Sequence, residues 1–147
     1  MVWGCMTIYG LSNLVFLDKN VDKTVYLKIL KQNLIQTADK YNMDRFIFQH
    51  DGAPAHKAEI IEEWLAMKGI YVMPWAAQSP DLNPIEHIWA LMKRRIGRKV
   101  FNNVEDLKKE LLKIWSEITP KECKDLIMSM PRRVAAVLDA NGYQTKY

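Results

Sequence analysis

The fold of this chain is decided by two short segments, QHDGAPAH at residues 49–56 and SPDLNPIEHIW at residues 79–89. In the first, the apolar run at residues 46–48 leads to a carboxylate, Asp51, and a turn sequence, which is typical of a strand ending at a sheet edge. In the second, Asn83 can cap a helix that has Pro84 at its first position, so that Glu86 falls in the first turn. One acidic residue therefore stands at the end of a predicted strand and the other at the start of a predicted helix, with 34 residues (52–85) between them.

The pattern around the first segment predicts an α/β arrangement. Runs rich in β-forming residues at 2–9 and 14–17, with a turn at 10–13, indicate a hairpin. A helical stripe over residues 22–40 follows, and then come a strand at 45–49, a helix at 56–68 and a strand at 70–75. This strand–helix–strand order predicts two parallel strands joined by a right-handed crossover.

The pattern after the second segment is helical. Helices are expected to begin at Asn83 and at Asn103, each with an apolar stripe. The sequence Thr119-Pro120-Lys121-Glu122 is that of a capping box and predicts a further helix, which Pro131 kinks or divides. The expected fold class is therefore α/β with a helical cover at the C-terminal end.

The composition favours one globular domain over residues 1–147 and excludes several functional classes. Residues that are 49% hydrophobic and 26% charged can form a sizeable core, and a net charge of +4 permits a polyanionic partner without requiring one. Cys5 and Cys123 are too few and too far apart for a disulfide framework or a zinc site, which favours a reduced, intracellular protein. No apolar run reaches the roughly 18 residues of a membrane span, and no signal-peptide pattern is present.

Each acidic residue also has a plain structural interpretation. Asp51 precedes a glycine, and Asp-Gly is a common turn pair. Glu86 falls at the third helical position, where a glutamate reaches back to the N-cap and interacts favourably with the helix dipole. The alternative is chemical: open α/β sheets place their sites at the carboxyl ends of strands, and a helix start stiffened by two prolines would aim Glu86 toward Asp51.

Taken together, the two segments resemble the catalytic core of the mariner-type (Tc/mariner) DNA transposases. In that family an acidic triad closes with an Asp, a gap of this length and a Glu. The likeness continues at VWGC (residues 2–5), LVFLD (14–18), WAAQSPDLNPIE (75–86) and MKRR (92–95). The resemblance therefore extends over nearly the whole chain.

The resemblance implies an RNase H-like fold that cuts and rejoins DNA by phosphoryl transfer, as in excision and integration of a transposable element. Asp51 and Glu86 would be the catalytic residues that bind Mg²⁺ or Mn²⁺, ions that prefer oxygen ligands. Two such ions about 3.5–4 Å apart activate the attacking oxygen and stabilise the leaving oxygen. His50 and His56 flank this site, and we expect them to make hydrogen bonds beside it rather than to bind metal.

The family pattern also predicts what is missing from this chain. Family members carry their first catalytic Asp on a central strand upstream of the VWGC strand, and a helix-turn-helix region before it. The expectation is a catalytic domain truncated at its N-terminus, inactive alone, with an unmatched apolar sheet edge and marginal stability. Neither Asp18 nor Asp81 is expected to replace the missing carboxylate, because a turn role suits both better. A start codon assigned too far downstream would equally explain the sequence.

A basic cluster follows Glu86 along the same helix. Its five cations are Lys93, Arg94, Arg95, Arg98 and Lys99. An isolated cluster of this kind is usually a solvated helix end that complements the dipole. Beside the expected site it also favours contacts to DNA phosphates, which are salt-sensitive and independent of sequence, or a nuclear-import signal. Arg132-Arg133 is a weaker example of the same pattern.

Three functional hypotheses follow. The first is a fragment of a transposase that acts on DNA in the nucleus, as a homodimer or paired with intact transposase, with no membrane and no small-molecule substrate. The second is a noncatalytic DNA-binding or regulatory protein derived from a transposase. The third is an unrelated α/β interaction module in which Asp51 and Glu86 only cap turns. Manganese-dependent nicking that requires both carboxylates would favour the first, and salt-dependent binding without cleavage the second.

Overall fold

A computed structural model describes residues 1–18, 20–75, 79–143 and 145 and divides the chain into two compact units. The first unit comprises residues 1–3 and 17–78, and the second comprises residues 4–16 and 79–147. The strands are β1 (Val2–Trp3), β2 (Met6–Thr7), β3 (Gly10–Leu11), β4 (Val15–Phe16), β5 (Ile47–Phe48) and β6 (Tyr71–Val72). The helices are α1 (Lys23–Ile29), α2 (Ile35–Lys40), α3 (Glu59–Met67), α4 (Pro84–Ile96), α5 (Val104–Ser116), α6 (Pro120–Met128) and α7 (Met130–Asp139).

Two further helical turns differ in width from an α-helix. A π-helical turn at Leu30–Leu34 joins α1 to α2, and a 3₁₀ turn at Pro80–Leu82 precedes α4. Within the described ranges, none of the helices combines the length and the apolar character that crossing a bilayer requires.

The first unit is organised by the parallel pair β5–β6. Ile47 pairs with Tyr71 and Phe48 with Val72, which confirms the predicted parallel strands. Alternate residues of a strand face opposite sides, so Phe48 enters the core while Ile47 and Tyr71 are 59% and 60% exposed. The core residues packed together here are Tyr26, Leu27, Leu30, Leu34, Phe48, Ile61, Trp64 and Leu65.

The helices of the first unit begin at identifiable caps and turns. Asp22 accepts hydrogen bonds from the backbone N–H groups of Thr24 and Val25, both at 2.8 Å, and so starts α1 as predicted. Helix α3 begins at Glu59 rather than at residue 56, because the backbone N–H groups of His56 and Lys57 instead donate to the Ala53 carbonyl in a turn. That turn holds His56 close to the end of β5.

The hairpin of the second unit turns earlier than predicted. Strands β2 and β3 pair antiparallel with Met6 opposite Leu11 and Thr7 opposite Gly10, so the chain reverses at residues 8–9 and not at 10–13. The Thr7 hydroxyl stabilises this turn by accepting from the Tyr9 N–H at 3.0 Å and donating to the Gly10 carbonyl at 3.2 Å. Two residues of the predicted turn are packed instead, since Leu11 and Ser12 are buried.

The helices of the second unit follow the predicted starts and breaks. The Asn103 side chain caps α5 by accepting from the Asp106 N–H, and Thr119 and Glu122 form the predicted capping box of α6. The predicted division near Pro131 is also present, because α6 ends at Met128 and α7 begins at Met130.

Cys123 on α6 is completely buried, and this burial raises the pKa of its thiol.

The packing of the second unit is closest around Trp115. Its ring Nε1 donates to the Ser12 carbonyl at 2.7 Å, and its ring stacks on that of Trp89 with 5.3 Å between centroids. A Cβ atom on Gly4 would lie 2.6 Å from the Trp115 ring, well inside van der Waals contact. Glycine in the VWGC sequence is therefore required by the tryptophan that packs over it.

Candidate metal and DNA site

Asp51 lies just beyond the end of β5 in the first unit. Its Oδ1 accepts a hydrogen bond from the Ala53 backbone N–H at 3.0 Å, which is the turn role that the Asp-Gly pair predicts. The same oxygen lies 2.7 Å from His56 Nδ1, although the direction of approach is not that of a hydrogen bond. The Asp51 side chain is nevertheless 54% exposed, so capping the turn leaves the carboxylate accessible to a cation.

His50 and His56 are brought together beside Asp51 in one aromatic stack. Their rings are nearly parallel, at 6°, with 5.2 Å between centroids, and Tyr26 stacks on His56 at 3.9 Å. The Tyr26 hydroxyl lies within hydrogen-bond distance of His50 Nδ1, at 3.1 Å. Burial, reinforced by the neighbouring His56 and opposed by Asp51, lowers the pKa of His50 to about 4. His50 is therefore neutral at physiological pH and is held by hydrogen bonding and stacking.

An open depression of about 360 Å³ adjoins this stack within the first unit. Asp51, Glu62, both histidines and Lys57 contribute polar side chains to it, and the rest of its lining is apolar. The end of the Lys57 side chain approaches Gly52, where an added Cβ would lie 3.0 Å from both Cε and Nζ. The sequence gives no signal that Tyr26 or Lys57 belongs to this site. Tyr26 is one of several apolar residues in a helical stripe, and Lys57 is distinguished only by following His56.

Glu86 belongs to the second unit and occupies the first turn of α4. The helix begins with Pro84 in its first turn, as predicted, and the Glu86 N–H donates to the Asn83 carbonyl at 3.1 Å. The prediction that the Asn83 side chain caps α4 is wrong, because Asn83 occupies the N-cap position without a side-chain capping bond to this helix. Its side chain is exposed. The expected meeting of Asp51 and Glu86 around a shared cation stays a prediction.

The basic cluster on α4 is divided by its ion pairs. Arg95 lies 3.3 Å from Glu122 and 4.0 Å from Glu117, and Lys99 lies 2.6 Å from Glu110. Lys93, Arg94 and Arg98 are exposed. The five cations are therefore not equivalent, since two of them already lie against carboxylates.

Lys93 and Arg94 border a second open depression, of about 520 Å³, together with His87 and Ala90. His87 follows Glu86 directly, and its Nδ1 lies 3.4 Å from the guanidinium of Arg133. Burial, and then the nearby Arg133 and Arg94, lower the pKa of His87 and favour its neutral form. Two exposed cations thus lie within two helical turns of the acidic residue.

Within residues 1–18, 20–75, 79–143 and 145, no three His, Cys, Asp or Glu side chains form a group able to hold a metal ion. Asp51 and Glu86 supply the hard oxygen donors that Mg²⁺ and Mn²⁺ prefer, but neither is part of such a group of three.

Relatives of known identity match the whole chain. It is 37% identical to the transposable element Tc1 transposase of Caenorhabditis elegans and 30% identical to the Tc3 transposase of the same organism, in each case over all of this chain. The chain covers 54% and 45% of those two proteins, so it spans about half the length of the curated relatives it matches.

Solved structures of the Mos1 transposase, a mariner protein of Drosophila mauritiana, share the fold. The Mos1 catalytic domain with Raltegravir and Mn superposes with a TM-score of 0.88 at 25% identity, over 99% of this chain and 76% of that one. The Mos1 paired-end complex with Mn gives a TM-score of 0.88 at 26% identity, over 99% of this chain and 44% of that one. These likenesses confirm the RNase H-like α/β fold.

The family match includes the two motif segments, residues 49–56 and 79–89. Residues 1–108 match the family described as DDE superfamily endonuclease, and this range includes Asp51, Glu86 and the basic cluster. The chain therefore belongs to the DDE superfamily endonucleases, among relatives that are Tc/mariner transposases.

Proposed function

We propose that this chain supplies the metal-binding part of a DNA transposase that cleaves and joins DNA strands in the nucleus. Asp51 and Glu86 are the catalytic residues in this proposal, and both bind Mg²⁺ or Mn²⁺. The observation that carries it is the exposed Asp51 carboxylate at the carboxyl end of a parallel strand pair, within a DDE endonuclease match. Sites of open α/β sheets lie at this edge.

The surroundings of each carboxylate fit a divalent cation. Ala53 and His56 hold one oxygen of Asp51 from the protein side, and the side chain remains half exposed. Glu86 is an exposed residue in the first turn of α4. When bound, two such ions activate the attacking oxygen and stabilise the leaving oxygen of a phosphoryl transfer. His50 and His56 orient the site through Tyr26 and Asp51 and do not themselves bind metal.

Metal binding is tested by titrating the ¹⁵N-labelled chain with Mn²⁺ and observing paramagnetic broadening of backbone amide signals. We expect broadening at residues 50–53 and 85–88. Asp51→Asn should abolish the first set and Glu86→Gln the second, because each keeps the shape of the side chain but removes a charged ligand. Asp139→Asn and Glu63→Gln are matched controls on exposed carboxylates elsewhere and should leave both sets unchanged.

The outcomes of this titration are distinct. Broadening confined to other carboxylates, or unaffected by both variants, would contradict the proposal. A supercoiled plasmid incubated with the chain and Mn²⁺ should remain intact, because the described residues contain no group of three ligands. Nicking that disappears in Asp51→Asn would instead mean that these 147 residues complete an active site.

A noncatalytic DNA-binding or regulatory role is the second candidate. It is favoured by Lys93 and Arg94, which are exposed beside an open depression on α4. Solved relatives include a Mos1 transposase paired-end complex with the left transposon end. Lys93 and Arg94 are expected to contact backbone phosphates, with Arg98 adding to them, whereas Arg95 and Lys99 contribute less because carboxylates already lie against them.

Salt dependence measures these contacts. Fluorescence anisotropy of a short labelled duplex should show binding that weakens with salt, and the variant carrying Lys93→Gln and Arg94→Gln should lower the slope of log K against log salt by about 1.8. The matched control is Lys113→Gln with Lys124→Gln, two exposed lysines on other helices, and it should leave the slope nearly unchanged. Equal slopes for both double variants would contradict the assignment.

A further inference from the structure

Arg133 is a charged residue enclosed in the second unit. It lies on α7, is only 2% exposed and is among the largest fully buried side chains in the described chain. From the sequence it is one half of a basic pair with Arg132, and its neighbour is indeed exposed. A buried guanidinium is costly unless hydrogen bonds satisfy it, so the groups around Arg133 indicate what it does.

The hydrogen bonds of Arg133 reach both sides of Glu86. Its Nε donates to the Ser129 hydroxyl at 2.7 Å, which fixes the side chain against its own helix. One terminal nitrogen donates to the Asp81 carbonyl at 3.0 Å and lies 3.4 Å from His87 Nδ1. Asp81 belongs to the 3₁₀ turn before α4, and His87 is the residue after Glu86. One guanidinium therefore touches the chain before and after the acidic residue.

A second tie reaches the same turn from the C-terminal end of the chain. The Thr145 hydroxyl lies 3.3 Å from Asp81 Oδ2, so both the backbone and the side chain of Asp81 are held from the last part of the sequence. Arg133 and Thr145, which make these two contacts to Asp81, both lie beyond residues 1–108, the range of the family match.

The start of α4 needs such support for a physical reason. The first turn of a helix has no intrahelical acceptors for its N–H groups, and a capping side chain usually stabilises it. Asn83 at the N-cap makes no side-chain capping bond to this helix, in contrast to Asn103 and Thr119 on α5 and α6. The preceding turn, held by Arg133 and Thr145, is therefore one of the supports of this helix start.

We propose that Arg133 is the positioning residue for Glu86: buried between α7 and the turn before α4, it fixes the direction in which the carboxylate is presented to a divalent cation. The assignment rests on the proposed metal role of Glu86. Arg133 itself does not touch the metal or the DNA in this proposal, and acts through Asp81 and His87.

The test uses the 147-residue chain and compares Arg133→Met with Arg132→Met. Hydrogen exchange of the amides of residues 86–88 should accelerate about tenfold in Arg133→Met and not in Arg132→Met, because Arg133 contacts Asp81 and His87 whereas Arg132 is exposed. The apparent Mn²⁺ affinity measured from broadening at residues 85–88 should fall about tenfold, as for other residues that orient a metal ligand. Broadening at residues 50–53 should be unchanged.

If Arg133→Met does not fold, the same hydrogen exchange and Mn²⁺ broadening can be measured on Arg133→Lys and Ser129→Ala. The lysine can still donate to the Asp81 carbonyl and should recover part of the Mn²⁺ affinity, whereas a role in bulk packing alone would be rescued by methionine as well as by lysine. Equal exchange and equal Mn²⁺ broadening at residues 85–88 in Arg133→Met and Arg132→Met would overturn the inference. If the unmodified chain shows no Mn²⁺ effect at Glu86, the proposed metal role fails, and the exchange rates alone then decide whether Arg133 holds the helix start.

Discussion

The two units hold their acidic residues by different means. In the first unit, the groups that contact Asp51 come from Ala53 and His56, two and five residues further along the chain. In the second unit, the turn before Glu86 is bound by Arg133, 52 residues from Asp81, and the Trp115 ring is bound to Ser12 across 103 residues. Local contacts form with little loss of chain entropy, whereas distant ones depend on the whole unit being folded. Substitutions should therefore have local effects around Asp51 and widespread effects around Glu86.

Two glycine substitutions give the largest expected contrast between the units. Gly4→Ala should lower the free energy of unfolding by about 1–3 kcal/mol, because its Cβ would overlap the buried Trp115 ring at 2.6 Å. Gly52→Ala should change it by less than about 0.5 kcal/mol, because its Cβ would meet only the end of the Lys57 side chain, which can move. Urea unfolding followed by tryptophan fluorescence measures both. Equal losses would mean that packing is no tighter in the second unit at these positions.

Substitution of His56 gives an intermediate effect within the first unit. His56→Ala removes the ring that stacks on Tyr26 and His50 and the contact to Asp51, and should cost about 1 kcal/mol. His56→Phe keeps an aromatic ring and should recover most of the stability but not the Mn²⁺ affinity at residues 50–53. If the phenylalanine variant binds Mn²⁺ as well as the unmodified chain, the His56–Asp51 contact does not orient the carboxylate.

The smallest expected effect is the pH dependence of the α6 capping box. The backbone N–H of Thr119 holds the pKa of Glu122 below its usual 4.5, with help from the Thr119 hydroxyl and Arg95. Because the folded state lowers this pKa, the stabilisation is fully present above pH 4.5 and is lost as the pH falls through the folded value. Glu122→Gln should therefore melt below the unmodified chain at pH 6, and the difference should shrink below pH 4.5. A difference that is constant from pH 6 to pH 3 would contradict this role of the carboxylate.

The elements that sequence predicted well are those with local signals. Asn103 and Thr119 cap helices where their side chains predicted, because each accepts from the backbone N–H three residues away. The parallel strands were predictable because an apolar run on either side of an amphipathic helix leaves few alternatives.

Features that depend on distant partners were not predictable. The hairpin turn is two residues earlier than expected because Leu11 and Leu14 are taken into the packing of the second unit. Val104, the first apolar residue after the Asn103 cap, is 65% exposed at the first position of α5 although the sequence predicts an apolar stripe for this helix. The burial of Arg133 has no local signal, since its partners Asp81 and His87 lie about fifty residues earlier.

The candidate site likewise combines local features that the sequence predicts with distant contacts that it does not predict. The association of Asp51 with His50 and His56 follows from one short segment, and the structure brings these three side chains together. The basic cluster appeared uniform in sequence, but Glu110 and Glu122, on helices further along the chain, lie against Lys99 and Arg95. A charge count over neighbouring residues cannot distinguish such paired cations from exposed ones.

The two cysteines differ in burial, and this difference makes Cys123 a reporter of the opening of the second unit. Cys5 is only half-buried, whereas Cys123 is enclosed in the second unit with its thiol pKa raised by burial. Thiolate is the form that reacts with alkylating reagents, so Cys123 should be modified only when helix α6 separates from its neighbours. In a Cys5→Ser variant, the rate of alkylation would therefore count spontaneous openings of this unit without any attached probe.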